Sequence, residues 1–431
     1  MKEKYKNKTL LVLGSNVGAK DIVLYAKENG AYTIVADYLP PEKSEAKNVA
    51  DDHFLVSTGD LDGLSKLVEE KQVDGILAGV SEFNLLNAME LSEKHGLPFY
   101  CNRKQWDQIE KKDEFRRFCQ ENGVPCPETY YAGRYEGAIP WDSVVYPAVL
   151  KPVDANASQG VFICNSEEEL RLHIEEAGAC SQCGDIIIEE FTEGYEFSAH
   201  YTIVNGNASL SCMDNRYPAA IHEGNVTTIP IARIYPGLFL EEYISQVNPA
   251  MLKLCRALGM QTGVLFVQGI YHPAKNRFSI FEAGLRCAGE APYRIISQVN
   301  KVNFLHTVVD YALGVTPDFC LERDDPYMKG KCCGVVSFAS TGGKVGEIRG
   351  LEETVKKVSS VIAYESRYPV GSDTPCGDTL RQIMLRFVMV CSSREEMERD
   401  ISFINENVQV FDDRGQNMVL KMDAGRIWGI K

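Results

Sequence analysis

The sequence predicts a mixed fold, α/β at its N-terminal end and α+β beyond. Three observations carry that expectation. Residues 9–100 alternate strand-like and helix-like segments, the order of a parallel sheet with helices on both faces. The stretch VPCP, residues 124–127, places two prolines within three positions and marks a boundary after a polar helical stretch. From residue 128 the pattern changes to strands in hairpins. A chain of 431 residues is too long for one core, so about two to four packing units are expected.

The elements follow in order. TLLVLG, AYTIVAD, HFLV, VDGILAG and LPFYC read as strands, with GAKDIVLYAKENG, LDGLSKLVEEKQ and FNLLNAMELSEKHG as the intervening helices. The turn LGSNVGAKD, with Gly14 and Gly18, opens a helix whose amides suit an anion. It is not GxGxxG, so it supports a dinucleotide oxidoreductase only weakly, and that reading leaves the middle of the chain unexplained. Asp37 and Glu82 fall at strand carboxyl ends, where ligands of such sheets bind, although each also reads as a cap. Residues 102–123 are helical. YPAVLKPV, GVFICN, DIIIEEF, EFSAHYTIVNG and ASLSCMDN are strands, interrupted by the helix SEEELRLHIEEAG. A helix near 240–258, a hairpin near 262–282 and a helix near 293–313 come next, and the last hundred or so residues read as mixed α/β.

The net charge of −15 argues against a protein that neutralises nucleic-acid phosphates with a basic face. No apolar run approaches roughly eighteen residues, which excludes a membrane helix. The apolar run Leu10–Leu13 is shorter than a signal peptide and flows into a glycine turn. Fourteen scattered cysteines without such a signal suggest reduced thiols and a cytoplasmic location. The single CxxC, Cys180 to Cys183, is half a zinc site at most and reads as a loop pair.

Four pieces in the middle of the chain, followed by a strand end, carry chemistry. Lys112 opens the helix before VPCP. Lys151 ends the apolar strand YPAVLKPV, where burial demands an anionic partner. The loop DANASQGV, with Ser158, Gln159, Gly160 and Val161, is small and flexible enough to close over phosphates with amides and a hydroxyl, although it is not a Walker A loop. IIIEEFTEGYEF ends a core strand in Glu189 and Glu190. It then offers Phe191 and Thr192 to a purine, and places Glu196 at the start of the next strand. Last, FEAGLRCAGE puts Glu282 and Arg286 at a strand end, each needing an oppositely charged object to face.

This order resembles the ATP-grasp superfamily of carboxylate–amine ligases, in its biotin-carboxylase-like and L-amino-acid-ligase-like branch. The likeness runs from the N-terminal domain to about residue 315, with the last hundred residues as the appended domain. It implies a pre-ATP-grasp α/β domain over 1–101 and a helical linker over 102–127. A small lid subdomain would cover 128–195, a large antiparallel-sheet ATP-binding subdomain 196–320, and a C-terminal α/β appendage 321–431. ATP is implied with Mg²⁺, or Mn²⁺ as an alternative. Lys112, Lys151 and the 158–161 loop would meet the phosphates; Glu189, Glu190, Phe191 and Thr192 the adenine; Glu196 the ribose. In the family motif E-x-N-x-R, Glu282 would face the metal, with Lys151 and Arg286 catalytic at the transferring phosphoryl group. The asparagine position is Gly284 and the upstream acid position falls on Gln268. The expectation is therefore a weaker or single-metal site, held by Gln268 and Glu282.

The implied reaction activates a carboxylate as an acylphosphate and passes it to an amine or a thiol. Glu82, Arg216, His222, Arg233 and Arg294 are candidates for gripping the substrates. A bicarbonate-using enzyme akin to biotin carboxylase or carbamoyl phosphate synthase is the alternative, although neither a biotin-accepting domain nor a glutaminase motif is evident. A non-catalytic ATP-binding module, suggested by Gln268 and Gly284, is the third reading. The expected partners are a small carboxylate and an amine, with no nucleic acid and no membrane, and a homodimer on base rate.

Overall fold

The computed structural model describes residues 3–155, 159–219, 229–376 and 380–426. At the N-terminus, strands Asp52–Phe54, Tyr32–Ala36, Thr9–Leu13 and Gly75–Ala78 form a parallel sheet in that order. Helices Ala19–Glu28, Glu45–Val49 and Leu61–Glu70 connect them, and helix Glu82–His95 follows the last strand. Their fully buried Leu, Ile and Val side chains are those of a sheet covered on both faces.

The expected strand at 97–101 does not form. Pro98 has no N–H for a ladder, and Tyr100 instead donates its hydroxyl to the Leu285 carbonyl at 2.7 Å. The helical stretch expected over 102–123 is two helices, Arg103–Glu110 and Lys112–Asn122. Asn102 and Gln105 form a capping box on the first. Lys111 adopts an extended conformation between the two, which sets Glu110 and Lys112 at facing helix ends.

Strands Thr129–Arg134, Asp185–Glu190, Ala148–Pro152 and Phe162–Cys164 make a small antiparallel sheet, backed by helix Glu167–Cys180 and enclosing its own hydrophobic cluster. A nine-stranded antiparallel sheet follows. Its edge strand Arg277–Gly284 pairs with Thr262–His272, which pairs with Tyr195–Val204, and then come Asn207–Pro218 and Pro230–Tyr235. An Asn205–Gly206 turn with both residues at positive φ closes the hairpin between the third and fourth of these, the chemistry a tight two-residue turn requires. Strand Pro230–Tyr235 pairs directly with Cys332–Ser340. The sheet then runs on through Ile383–Cys391 and Val361–Ser366, so the division expected at 320/321 cuts through one continuous sheet. The alternation in CCGVVSFAS and RFVMVCSS shows strands but carries no information about their neighbours.

No helix of the described residues is long and apolar enough to cross a membrane. All fourteen cysteines are free, and among the described residues no cluster of three or more His, Cys, Asp or Glu side chains is placed to hold a metal.

Candidate functional site

Glu282 lies on the edge strand Arg277–Gly284, directly across from Gln268 on Thr262–His272. Among the described residues neither side chain makes a hydrogen bond or ion pair, so a carboxylate and an amide oxygen stand side by side with their lone pairs uncommitted. Hard oxygen donors of this kind suit Mg²⁺, whose remaining positions water or phosphate oxygens can fill. The pair fits one such ion.

Gly284, two residues on, has no room for the side chain that the motif carries there. A Cβ would stand 2.4 Å from Cε1 of Phe266 and 3.3 Å from Oε1 of Glu110. The Phe266 ring fills the place of the missing asparagine. Arg286 stacks on that same ring, its guanidinium carbon 4.6 Å from the centroid.

Arg286 is held by Glu82, whose Oε1 accepts from Nε at 2.8 Å. Glu82, expected as a substrate contact, thus spends its charge on the arginine. Glu110 completes the cluster and was not anticipated, since nothing in a polar helix end distinguishes it. Its Oε1 accepts from the Leu285 amide at 3.2 Å. Burial first, then the neighbouring charge of Glu82, pushes its carboxyl up to about 8.

In the small antiparallel sheet, Lys151 is 6% exposed and its Nζ lies 2.5 Å from Oε2 of Glu189. Burial outweighs that pairing and brings the ammonium down to about 8, with Arg116 and Lys112 adding repulsion. Glu189 was expected at the adenine. Here it is 1% exposed and lies between Lys151 and Arg116, which keep it ionised despite burial. Lys112 is buried and donates from Nζ to the Ala155 carbonyl at 2.8 Å, at the entrance to the glycine-bearing loop.

Of that loop, Ser158 lies outside the described residues. Gln159 is exposed, and Gly160 adopts a φ of 67° with a Cβ position only 2.9 Å from Cys180 Cβ, so the close approach requires glycine. The CxxC turn backs the loop: Gln182 and Cys183 both donate their amides to the Asp154 carboxylate at 3.2 Å.

Between strands Asp185–Glu190 and Tyr195–Val204, Phe191 and Thr192 line a cavity of about 140 Å³ together with Glu190, His272, Lys275 and Arg277. Glu190 accepts from Arg277 at 2.5 Å. Glu196 and Arg216, expected at ribose and substrate, pair with each other at 2.5 Å. Arg294 is committed to Asp21 at 2.9 Å and to Glu365 at 2.8 Å, joining the first helix to the C-terminal part of the sheet. His222 lies outside the described residues.

Arg233 is buried, 2.9 Å from Asp214 and 3.2 Å from Glu290. Although burial opposes it, Glu290 is held down to about 2 by Arg233 and Arg386. Glu290 and Arg386 were also missed, because the latter comes from about a hundred residues away and donates to the Gly289 carbonyl at 2.7 Å.

Residues 109–260 match the ATP-grasp domain family. The N-terminal section of the carbamoyl phosphate synthase large chain of Methanopyrus kandleri is 26% identical over 272 residues, 60% of this chain and 47% of that relative. The chain thus spans less than half the length of that relative. The L-amino acid ligase of Bacillus licheniformis superposes with a TM-score of 0.77 at 18% identity, covering 96% of this chain and 100% of that one. The biotin carboxylase domain of the Hydrogenobacter thermophilus 2-oxoglutarate carboxylase, a dimer solved with MgADP and bicarbonate, superposes at 0.75 with 16% identity, covering 95% and 91%. These likenesses establish the ATP-grasp fold expected from the order of motifs.

Proposed function

We propose that this chain, an ATP-grasp domain protein by its family match, is an ADP-forming ligase that joins a small carboxylate to an amine through an acylphosphate. The observation that carries the reading is the strand end: Glu282 and Gln268 uncommitted and adjacent, with Arg286 four residues on and anchored by Glu82. In the proposed reaction a carboxylate oxygen of the substrate attacks the γ-phosphorus of ATP and ADP leaves. The amine then attacks the acyl carbon, the acyl–phosphate bond breaks, and phosphate departs.

The protein's part is placement and charge. Lys151 and Lys112 would hold phosphate oxygens from the lid. Arg286, a fixed fork of donors, would meet the charge that develops on the transferring group. Glu282 and Gln268 would hold Mg²⁺, which neutralises phosphate charge when bound. Phe191 and Thr192 would take the adenine in the cavity they line, while Glu189 acts on ATP only through Lys151. Glu290, with Arg233 and Arg386, is a charged lining for the substrate end.

A second reading, bicarbonate as the carboxylate, is favoured by the sequence likeness to carbamoyl phosphate synthase. One assay separates the two: phosphate release from Mg-ATP with carboxylate and amine pairs in one arm and bicarbonate in another.

A further inference from the structure

Arg116 lies one helical turn after Lys112 and is 2% exposed. Its guanidinium joins two other elements. Nε donates to Oε1 of Glu189, and Nη2 donates to the Phe281 carbonyl, both at 2.5 Å. The second oxygen of Glu189 holds Lys151 at 2.5 Å. One buried carboxylate therefore serves two buried cations, and among the described residues neither cation has another carboxylate partner.

We propose that Arg116 is a positioning residue for nucleotide binding. Through Glu189 it sets where the Lys151 ammonium stands, and through the Phe281 carbonyl it ties that lysine to the strand end bearing Glu282 and Arg286. The inference rests on the ATP reading above.

Buried ion pairs are seldom more stable than a well-packed apolar replacement, so stability gives little reason to keep three charges here. Their sum is positive, and among the described residues Nη1 of Arg116 has no hydrogen-bond partner. An arriving phosphate supplies the missing negative charge. Arg116 also divides the claim on Glu189. Without it the carboxylate belongs to Lys151 alone and draws the ammonium away from a phosphate. The charged groups that act on Lys151 are Glu189, Arg116 and Lys112.

The test is Mg-ATP binding by equilibrium dialysis between pH 6.5 and 9.5, with circular dichroism as the folding control. Wild type is compared with Arg116→Lys, Arg116→Met and the double variant Arg116→Met/Glu189→Met. Lysine keeps the charge but cannot reach both acceptors, so affinity at pH 7.5 should fall about tenfold, the worth of one hydrogen bond to a charged group. Arg116→Met should bind more weakly still. Its loss of affinity at alkaline pH should begin at a higher pH, since repulsion of Lys151 is gone, whereas Arg116→Lys should keep the wild-type pH profile. A merely structural arginine would lower affinity without moving that limb.

If Arg116→Met fails to fold, the double variant removes both charges and should still bind more weakly than wild type. Wild-type affinity and pH profile in the lysine and double variants would overturn the inference while leaving the ATP reading intact. A wild-type protein that binds no Mg-ATP would overturn both.

Discussion

Glu82 and Arg286 are 204 positions apart in the chain, yet Glu82 Oε1 accepts from Arg286 Nε at 2.8 Å. The pair fastens the helix that follows the last strand of the parallel sheet to the end of the antiparallel sheet. Glu82→Gln should therefore loosen the arginine without emptying the site. The expected result is a fall in kcat of about tenfold with little change in the KM for ATP, corresponding to the loss of one charge-assisted hydrogen bond. Steady-state kinetics on the variant check it; an unchanged kcat would mean that Arg286 needs no anchor.

Lys151→Ala and Arg286→Ala should each lower ATP turnover by about two to three orders of magnitude, the usual cost of removing a donor aimed at developing charge. Both should fold. Arg116 still holds Glu189 in the first variant, and Glu82 lies close enough to solvent to be hydrated in the second. Retained turnover in both would contradict the site assignment.

Gly284→Asn would restore the family motif on paper. In this protein the new side chain meets the Phe266 ring. The expected outcome is a loss of about 1–3 kcal/mol in stability, the range for overpacked cores, with no gain in Mg²⁺ affinity. Thermal melts with and without Mg-ATP measure both; a stable variant with tighter metal binding would show that the ring gives way easily. Gln268→Glu, which adds charge where an uncommitted amide now stands, should instead lower the Mg²⁺ concentration needed for turnover.

Glu110 gives a pH dependence with a defined sign. Its carboxyl is raised from an ordinary 4.5 to about 8, chiefly by burial. The folded state binds this proton more tightly than the unfolded chain does. The contribution to stability is thus complete below about pH 4.5 and is lost as pH rises toward about 8. Glu110→Gln, which can still accept from the Leu285 amide, should raise Tm at pH 8 and leave it nearly unchanged at pH 4.5. Equal shifts at both pH values would contradict this.

The parts of the protein that were legible in its sequence are those encoded locally. The βα alternation and the helix break at VPCP both depend on neighbours a few residues apart. The strand end with Glu282 and Arg286 was visible for the same reason. Charge partners were not visible: Glu196 with Arg216, Arg294 with Glu365 and Arg116 with Glu189 meet only after the sheets and helices pack. Phe266 turning into the space of Gly284 is likewise a cross-strand event. The strand that Leu97–Cys101 suggested fails at Pro98, which has no N–H to give to a ladder.

The central claim is ATP-dependent ligation, and phosphate release from Mg-ATP tests it most directly. Purified protein would be assayed with amino acids and small carboxylates, singly and in pairs, with bicarbonate as a separate arm and product masses read on every hit. The account predicts release that depends on a carboxylate and amine pair, with a product lighter than their sum by one water. Bound Mg-ATP with no release on any pair or with bicarbonate, persisting after Gln268→Glu, would contradict it.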